Sequence, residues 1–569
     1  MREPRTVAQF QIAQEFVGQT ARLILAPLRR EYRRSPLYRL LLRGAPSDRF
    51  AIQPHDYVAR SLEDADALLR GRFRFGNETV EVKAGSVFEQ QMPSARFAEA
   101  LHAFEWLPPL AMAGGRPAQT LAKNLISQWQ RRFGKYGEPS WATNVMARRL
   151  MNLFCHGRFV VVQSDVLWRS RLFVSLREQS RMLARLMDES PEGIPRFEST
   201  VAVVLSGACL EESSHLFEEG MRALERQCGR QILPDGGHIS RQPEALLNAY
   251  RLTTVAMDAA TAVRREIPKG VRDAHDRMGP MLRFFRHDDR RLAVFNGGLS
   301  GDARCIDALL ARDPIKGLPF RYAPHSGYFR FAGGRTVAIM DCGAPPPIAC
   351  AADAHAGCLS FELSSSRQRI VVNCGARSEH DADWKDALAA TAAHSTVTVA
   401  DTSSASFLRA RIIRRFTGSR LLAGPQSVAV NTTEMAEGSA INASHDGYEP
   451  YFGVIHRRQL EFSGDGSRVS GVDEILPVAG KVHARPIPYV IRFHIHPDVR
   501  VSVAQSGDMI LKLPDSEAWR FRCDCGDVAR EDSIYAGDSG GAFRKSEQIV
   551  LKGSVRDSLA RVAWSLERM

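Results

Sequence analysis

Residues 311–340 read ARDPIKGLPFRYAPHSGYFRFAGGRTVAIM, and the periodicity of the chain changes inside them. Before Ala311 apolar residues recur three and four apart; from Tyr328 onward they alternate with polar ones. The first spacing lines one stripe of a helix, and the second lines one face of a strand. Helices therefore come first and sheets after, with the boundary in Ala311 to Pro324. That order predicts separate layered domains rather than an interleaved α/β fold.

Upstream, helix-period segments cover 94–113, 117–133, 142–155, 165–187, 197–212, 214–230, 243–263 and 271–286. Breakers separate them, among them Gly114-Gly115, Pro139, Pro191, Pro234 with Gly236-Gly237, and Pro268. Helix pairs without a repeated consensus predict a closed ring of helical hairpins rather than a solenoid. Ahead of the ring, Arg72 to Phe75, Gly76-Asn77 and Thr79 to Val82 read as a hairpin. Downstream, short alternating runs recur at Arg335 to Met340, Leu359 to Leu363, Arg369 to Val372 and Thr396 to Val399. They continue at Arg458 to Phe462, Tyr489 to His496 and Met509 to Leu513, the pattern of an antiparallel sandwich. The expected domains are 1–90 (basic helical segment and hairpin), 91–315 (helical ring) and 316–569 (sandwich).

The 569 residues carry a net charge of +12, largely through Arg, and the pI is about 9.4. A basic balance favours acidic partners: nucleic acid, an anionic membrane or an acidic polysaccharide. Ten Cys sit mostly in apolar or glycine-rich surroundings and imply reduced thiols, and Cys523-Asp-Cys525 lacks the second pair of a metal motif. No signal peptide is read at the N-terminus, which suits the cytoplasm, and no stretch is long and apolar enough for a membrane span. Arg residues from Arg22 to Arg43 interleave with Leu23, Leu25, Leu28, Leu37 and Leu40 to Leu42, a pattern suited to peripheral contact with anionic lipid or polymer. Arg283-Phe-Phe-Arg286-His287 is a basic-aromatic patch, but no nucleic-acid fold signature accompanies it, and neither a P-loop nor GxGxxG occurs. Neither nucleic acid nor a nucleotide cofactor is expected.

Three segments concentrate polar residues of catalytic type. In Gln231 to Pro243 a turn at Asp235-Gly236 presents His238 and Arg241 ahead of a helix, where an anion is favoured. Asp353 to Glu362 with Ile370 to Gly375, and Ala392 to Val399, bring His355, Asn373 and His394 to strand starts; two imidazoles and an oxygen donor could hold zinc.

ILPDGGHISRQP resembles the LPDGGHxxRSP loop of the heparinase II/III family. HAGCLSFELS, VVNCG and TAAHSTVTV resemble that family's HADxLSFELS, VDPGT and AHNTV series, and HDGYEPYFGVIHRRQL a further strand pair. The resemblance spans roughly residues 100–500 and implies an (α/α) toroid followed by an antiparallel β-sandwich, a zinc site, and polysaccharide lyase chemistry on uronic acids. A lyase of this kind must neutralise the uronate, take the C5 proton and protonate the departing oxygen. By family alignment, Ile194-Pro195 stand where the family has Asn-His, Ala245 where it has Tyr, and Asp353 where it has a second catalytic His. Of the zinc positions His355 and His394 remain, with Asn373 in place of Asp.

Replacements are sought near the expected cleft between toroid and sandwich: Tyr448 as acid/base, Arg241 holding the carboxylate, and His238. His445 and His456 would bind substrate, as would Trp141, Arg149 and Asn152 on one toroid helix. The leading expectation is β-elimination on an acidic polysaccharide, in the cell envelope or periplasm as the family implies. The rival is an inactive polysaccharide-binding or assembly protein of the same fold.

Overall fold

The computed structural model describes residues 27–42, 48–83, 85–313, 319–376, 382–408, 414, 420–478, 485–538, 543–556 and 558–569. The basic stretch expected over residues 22–43 lies partly outside them. Two compact units emerge: one holds Gly18–Ile232 and Asn248–Asp276, the other Leu233–Leu247 and Arg277–Met569. The Asp235-Gly236 loop and residues 277–313, which the sequence reading assigned to the helical ring, thus pack with the strands. The chain passes between units inside two helices, Pro243–Ala262 and Lys269–Phe284.

The first unit is helical, apart from the expected hairpin, in which Arg72 pairs with Glu81 and Phe75 with Glu78 around Gly76-Asn77. Its central helices, Thr143–His156 and Ile194–Cys209, are buried nearly all round, as a helix enclosed by neighbours must be. Outer helices such as Val166–Leu186 bury one face, and Asp165 caps that helix by accepting from the Trp168 N–H at 2.8 Å. Small residues set the spacing: a Cβ on Gly207 would lie 2.1 Å from the Phe217 nitrogen, and one on Gly220 2.7 Å from the Val204 nitrogen. Helix Ser214–Gln231 can therefore press onto Ile194–Cys209 backbone to backbone.

The second unit is built on two antiparallel sheets. One orders Val428–Met435, Gly438–His445, Val454–Ser463, Arg468–Pro477, Ala560–Arg568, Ala518–Cys523, Met509–Lys512 and Arg500–Val503. The other runs from Val528–Tyr535 through Arg544–Val555, Ile487–Ile495, Gln368–Val372, Phe361–Ser365, Thr336–Asp341 and Tyr328–Gly333 to Tyr322–Ala323, with Val397–Val399 paired to Ile487–Ile495. Burial alternates strictly along Val454–Ser463, whereas Thr336–Asp341 is buried on both faces. The shared core includes Phe361, Phe493 and Trp564, whose ring stacks on Phe361 at 5.7 Å. Trp564 also lies over Gly471, where a Cβ would stand 2.1 Å from the indole. The expected architecture of helices followed by an antiparallel sandwich is what the structure has. No helix among the described residues is long and apolar enough to cross a membrane.

Candidate functional site

The Asp235 loop is a knot of backbone hydrogen bonds. Asp235 accepts from the Ser326 and His325 N–H groups at 2.7 and 2.9 Å and from Ser326 Oγ at 2.7 Å. Gly236 has φ +90°, and a side chain there would meet the Arg277 carbonyl at 2.1 Å, so only glycine fits.

Arg241 follows, itself left-handed at φ 59°. Its Nε donates to the Ser326 carbonyl at 2.8 Å, Nη1 to Gly343 and Ala344 at 3.2 and 2.9 Å, and Nη2 to Gly327 at 3.1 Å and to Asp341. A guanidinium has five N–H donors, and all five are engaged. Burial alone would lower its pKa; Asp341, with Tyr328 adding, more than reverses this and keeps it charged. Arg241 is therefore a strut between the loop and the sheet, and the expectation that it holds a substrate carboxylate is corrected.

His238 is buried, and its Nδ1 lies 2.7 Å from Ser240 Oγ and accepts from the Ser240 N–H at 3.2 Å. Burial lowers its pKa to about 4, so it is neutral near pH 7.

Tyr448, expected as acid/base, is fully buried and donates to the Val397 carbonyl at 2.6 Å; burial pushes its phenol well above the usual range. Such a hydroxyl meets no substrate, and its place is in the core.

His445 and His456, expected to bind substrate, are buried in a chain of contacts. His445 Nε2 lies 3.4 Å from His456 Nδ1, and His456 Nε2 lies 2.8 Å from Asp473. Asp473 also accepts from Arg458 Nε at 2.8 Å and Trp564 Nε1 at 2.9 Å. Burial alone would raise the Asp473 pKa, but Arg458 and His456 outweigh it and hold the carboxyl below the usual range. This is an internal brace, which corrects the substrate-binding expectation.

In the helical unit, Trp141 is buried and donates to the Phe133 carbonyl at 2.7 Å. Arg149 is fully buried over the Trp129 ring at 4.2 Å, donating to Gln179 Oε1 at 2.8 Å and to the His102 and Ser140 carbonyls at 2.9 and 2.7 Å. Burial lowers its pKa to about 9. Asn152 donates to the Ala103 carbonyl at 2.9 Å. Trp141 and Arg149 are packing groups, not a sugar platform. The patch at Arg283 to His287 is likewise consumed: Phe284 and Phe285 are buried, Arg283 pairs with Asp313 and Arg286 with Asp307.

The sequence reading missed a partly buried charge cluster in the helical unit. Arg148 bridges Glu99 and Glu105, each at 3.1 Å, and burial, partly opposed by Arg148, raises the pKa of neighbouring Glu198. Asp56 meets Arg60 at 3.1 Å, His156 at 3.3 Å and Arg251 at 3.6 Å. Glu99, Arg148, Glu198 and Arg251 come from successive helical hairpins, about fifty residues apart, and that interval was the one signal available. Four carboxylates face three Arg here, so this cluster is close to balanced and is not itself a positively lined groove.

At the expected zinc positions, His355 Nδ1 lies 3.1 Å from His394 Nε2, and His394 Nδ1 lies 2.8 Å from the Ala390 carbonyl. Asn373 turns away: its Oδ1 accepts from the Ser395 N–H at 3.1 Å and its Nδ2 donates to the Val294 carbonyl at 3.2 Å. Among the described residues no three His, Cys, Asp or Glu side chains gather as metal ligands. A three-ligand zinc site does not fit this donor set.

Residues 315–565 match the family described as Heparinase II/III-like, C-terminal. FtsZ-localized protein C of Caulobacter vibrioides (strain NA1000 / CB15N) is 32% identical over 558 residues, covering 95% of this chain and 94% of that protein. The crystal structure of heparinase III superposes with a TM-score of 0.72 at 15% identity, over 98% of this chain and 91% of that one. Heparan sulfate lyase HepC from Pedobacter heparinus gives 0.60 at 14% identity, over 93% and 87%. At such identities the two lyases share the fold and no more, but the matched family region and a full-length relative point the same way as the loop and strand motifs: the chain belongs to the heparinase II/III family.

Proposed function

We propose that this protein is a non-catalytic member of the lyase fold that acts as an assembly protein at FtsZ. The observation that carries the reading is Arg241: the cation expected to hold a uronate has all five donors committed inside the protein. Tyr448 and His238, the other substitutes for the family's proton-transfer groups, are buried as well. The full-length relative's name supports FtsZ as the destination and the cytoplasm over the periplasm.

The basic N-terminal segment supports a peripheral contact with an anionic surface. Leu28, Leu37, Leu40 and Leu41 are exposed there, beside a pocket of about 540 Å³ whose lining includes Arg30, Arg34, Arg132 and Lys135. Exposed leucines beside arginines suit an interfacial helix.

The test has two arms. A fluorescent fusion should follow FtsZ in the cell. The purified protein, incubated with a panel of acidic polysaccharides, should generate no ultraviolet absorbance from unsaturated uronates. Steady growth of that absorbance on any of them restores the lyase reading, and a fusion indifferent to FtsZ removes the assembly role.

A further inference from the structure

The centre at His355 and His394 is where the family resemblance leads one to expect a metal, and its hydrogen bonds are arranged for something else. We infer that this centre is metal-independent: a direct histidine–histidine hydrogen bond beside a lysine ammonium stands where a carboxylate-bearing relative would place a divalent cation.

Three features carry this. The first is the proton arrangement. The His394 Nδ1–H donates to the Ala390 carbonyl, which leaves Nε2 as the acceptor, so His355 Nδ1 must be the donor between the rings. The lone pair a metal would need on His394 is thus occupied by a proton of its neighbour.

The second is Asn373. Both ends of its amide are held by backbone groups, and a neutral amide is a poorer metal ligand than the carboxylate the resemblance implies at this position. The third is Lys385, on helix Ala382–Ala389. It lines the same cavity of about 30 Å³ as His355 and pairs with Asp353 at 2.8 Å. Asp353, a carboxylate lining that cavity, is thus already matched by an ammonium that a divalent cation would have to displace, and a cavity of that size admits about one water.

The rings have little room to rearrange. A Cβ on Gly357 would lie 2.7 Å from His394 Cδ2, so the backbone of Gly357 already rests against that imidazole.

The experiment uses the full-length protein. It is dialysed against zinc, passed through gel filtration and measured for metal by mass spectrometry, and its melting is followed with and without a chelator. The expected result is far less than one zinc per chain and a Tm the chelator leaves unchanged. Roughly one zinc per chain, or a Tm lowered by chelation, overturns the inference.

Asn373→Asp should raise zinc retention at least about tenfold, and cobalt substituted for zinc should give the visible bands of a tetrahedral site. A folded Asn373→Asp protein that stays empty shows that the amide is not what excludes the metal. Should that variant not fold, Lys385→Gln makes the same comparison: greater zinc retention supports the role of the ammonium, and no change removes it. None of these readouts depends on FtsZ or on polysaccharide cleavage, so failure here and failure of the proposed function are separable.

Discussion

Two sets of charges, one in each unit, are treated in opposite ways. In the sandwich unit Arg241, Asp341, Arg458 and Asp473 are sealed, each with partners that consume its donors or acceptors. In the helical unit Arg148, Glu99 and Glu105 stay about one-third exposed, bridged to one another yet open to water. A sealed network fixes a geometry but has nothing left to offer a ligand. An open one contributes little to stability and can exchange partners. Polar residues alone therefore do not mark a site; unspent hydrogen-bonding capacity does.

The largest effect that would sharpen this contrast is removal of a sealed cation. Arg241→Ala leaves Asp341 buried and unpaired and should destabilise the sandwich unit by about 3–5 kcal/mol in chemical denaturation. A loss below about 1 kcal/mol would put Arg241 among surface pairs and break the comparison.

Acid comes next. His238 and His394 have pKa values lowered to about 4 in the fold, against an ordinary 6.5. Between those values the unfolded chain binds the extra protons, so stability is whole above about pH 6.5 and falls as the pH drops toward 4. Thermal melting across that window should show Tm decreasing with acid, and a flat profile contradicts the buried, neutral assignment.

Tyr448→Phe removes one buried donor and leaves the Val397 carbonyl unsatisfied, for an expected loss of about 1–3 kcal/mol. Equilibrium unfolding measures it. Smallest of all, Arg148→Ala should cost about 1 kcal/mol or less, because its partners can turn to water. A large destabilisation would show the helical cluster to be as structural as the sealed one.

Most of the fold was legible in the sequence. The alternation of Val454–Ser463 and the helical period of Thr143–His156 are local consequences of which face is buried, and each was readable from a dozen residues. The site was much less so. Tyr448 looked available because it stands in a polar turn, His445 to Tyr451, but its hydroxyl reaches a strand fifty residues earlier in the chain. Arg241 looked poised for an anion, and an anion was indeed found: Asp341, supplied by the protein itself. The charge cluster was harder to see because Asp56, Arg148, Glu198 and Arg251 share no local motif, only a wide interval along the chain, and meet only when the helices pack.

The path of the chain through its two helical crossings bears on biosynthesis. As the polypeptide leaves the ribosome, residues 233–247 emerge long before the strands they belong with, and Arg241 must wait about a hundred residues for Asp341. A fragment ending at residue 315 would therefore strand that guanidinium, and one beginning at 316 would leave the Asp341 carboxylate without its cation. Cutting the protein at the point where its sequence character changes therefore separates Arg241 from Asp341 and residues 233–247 from the rest of their unit.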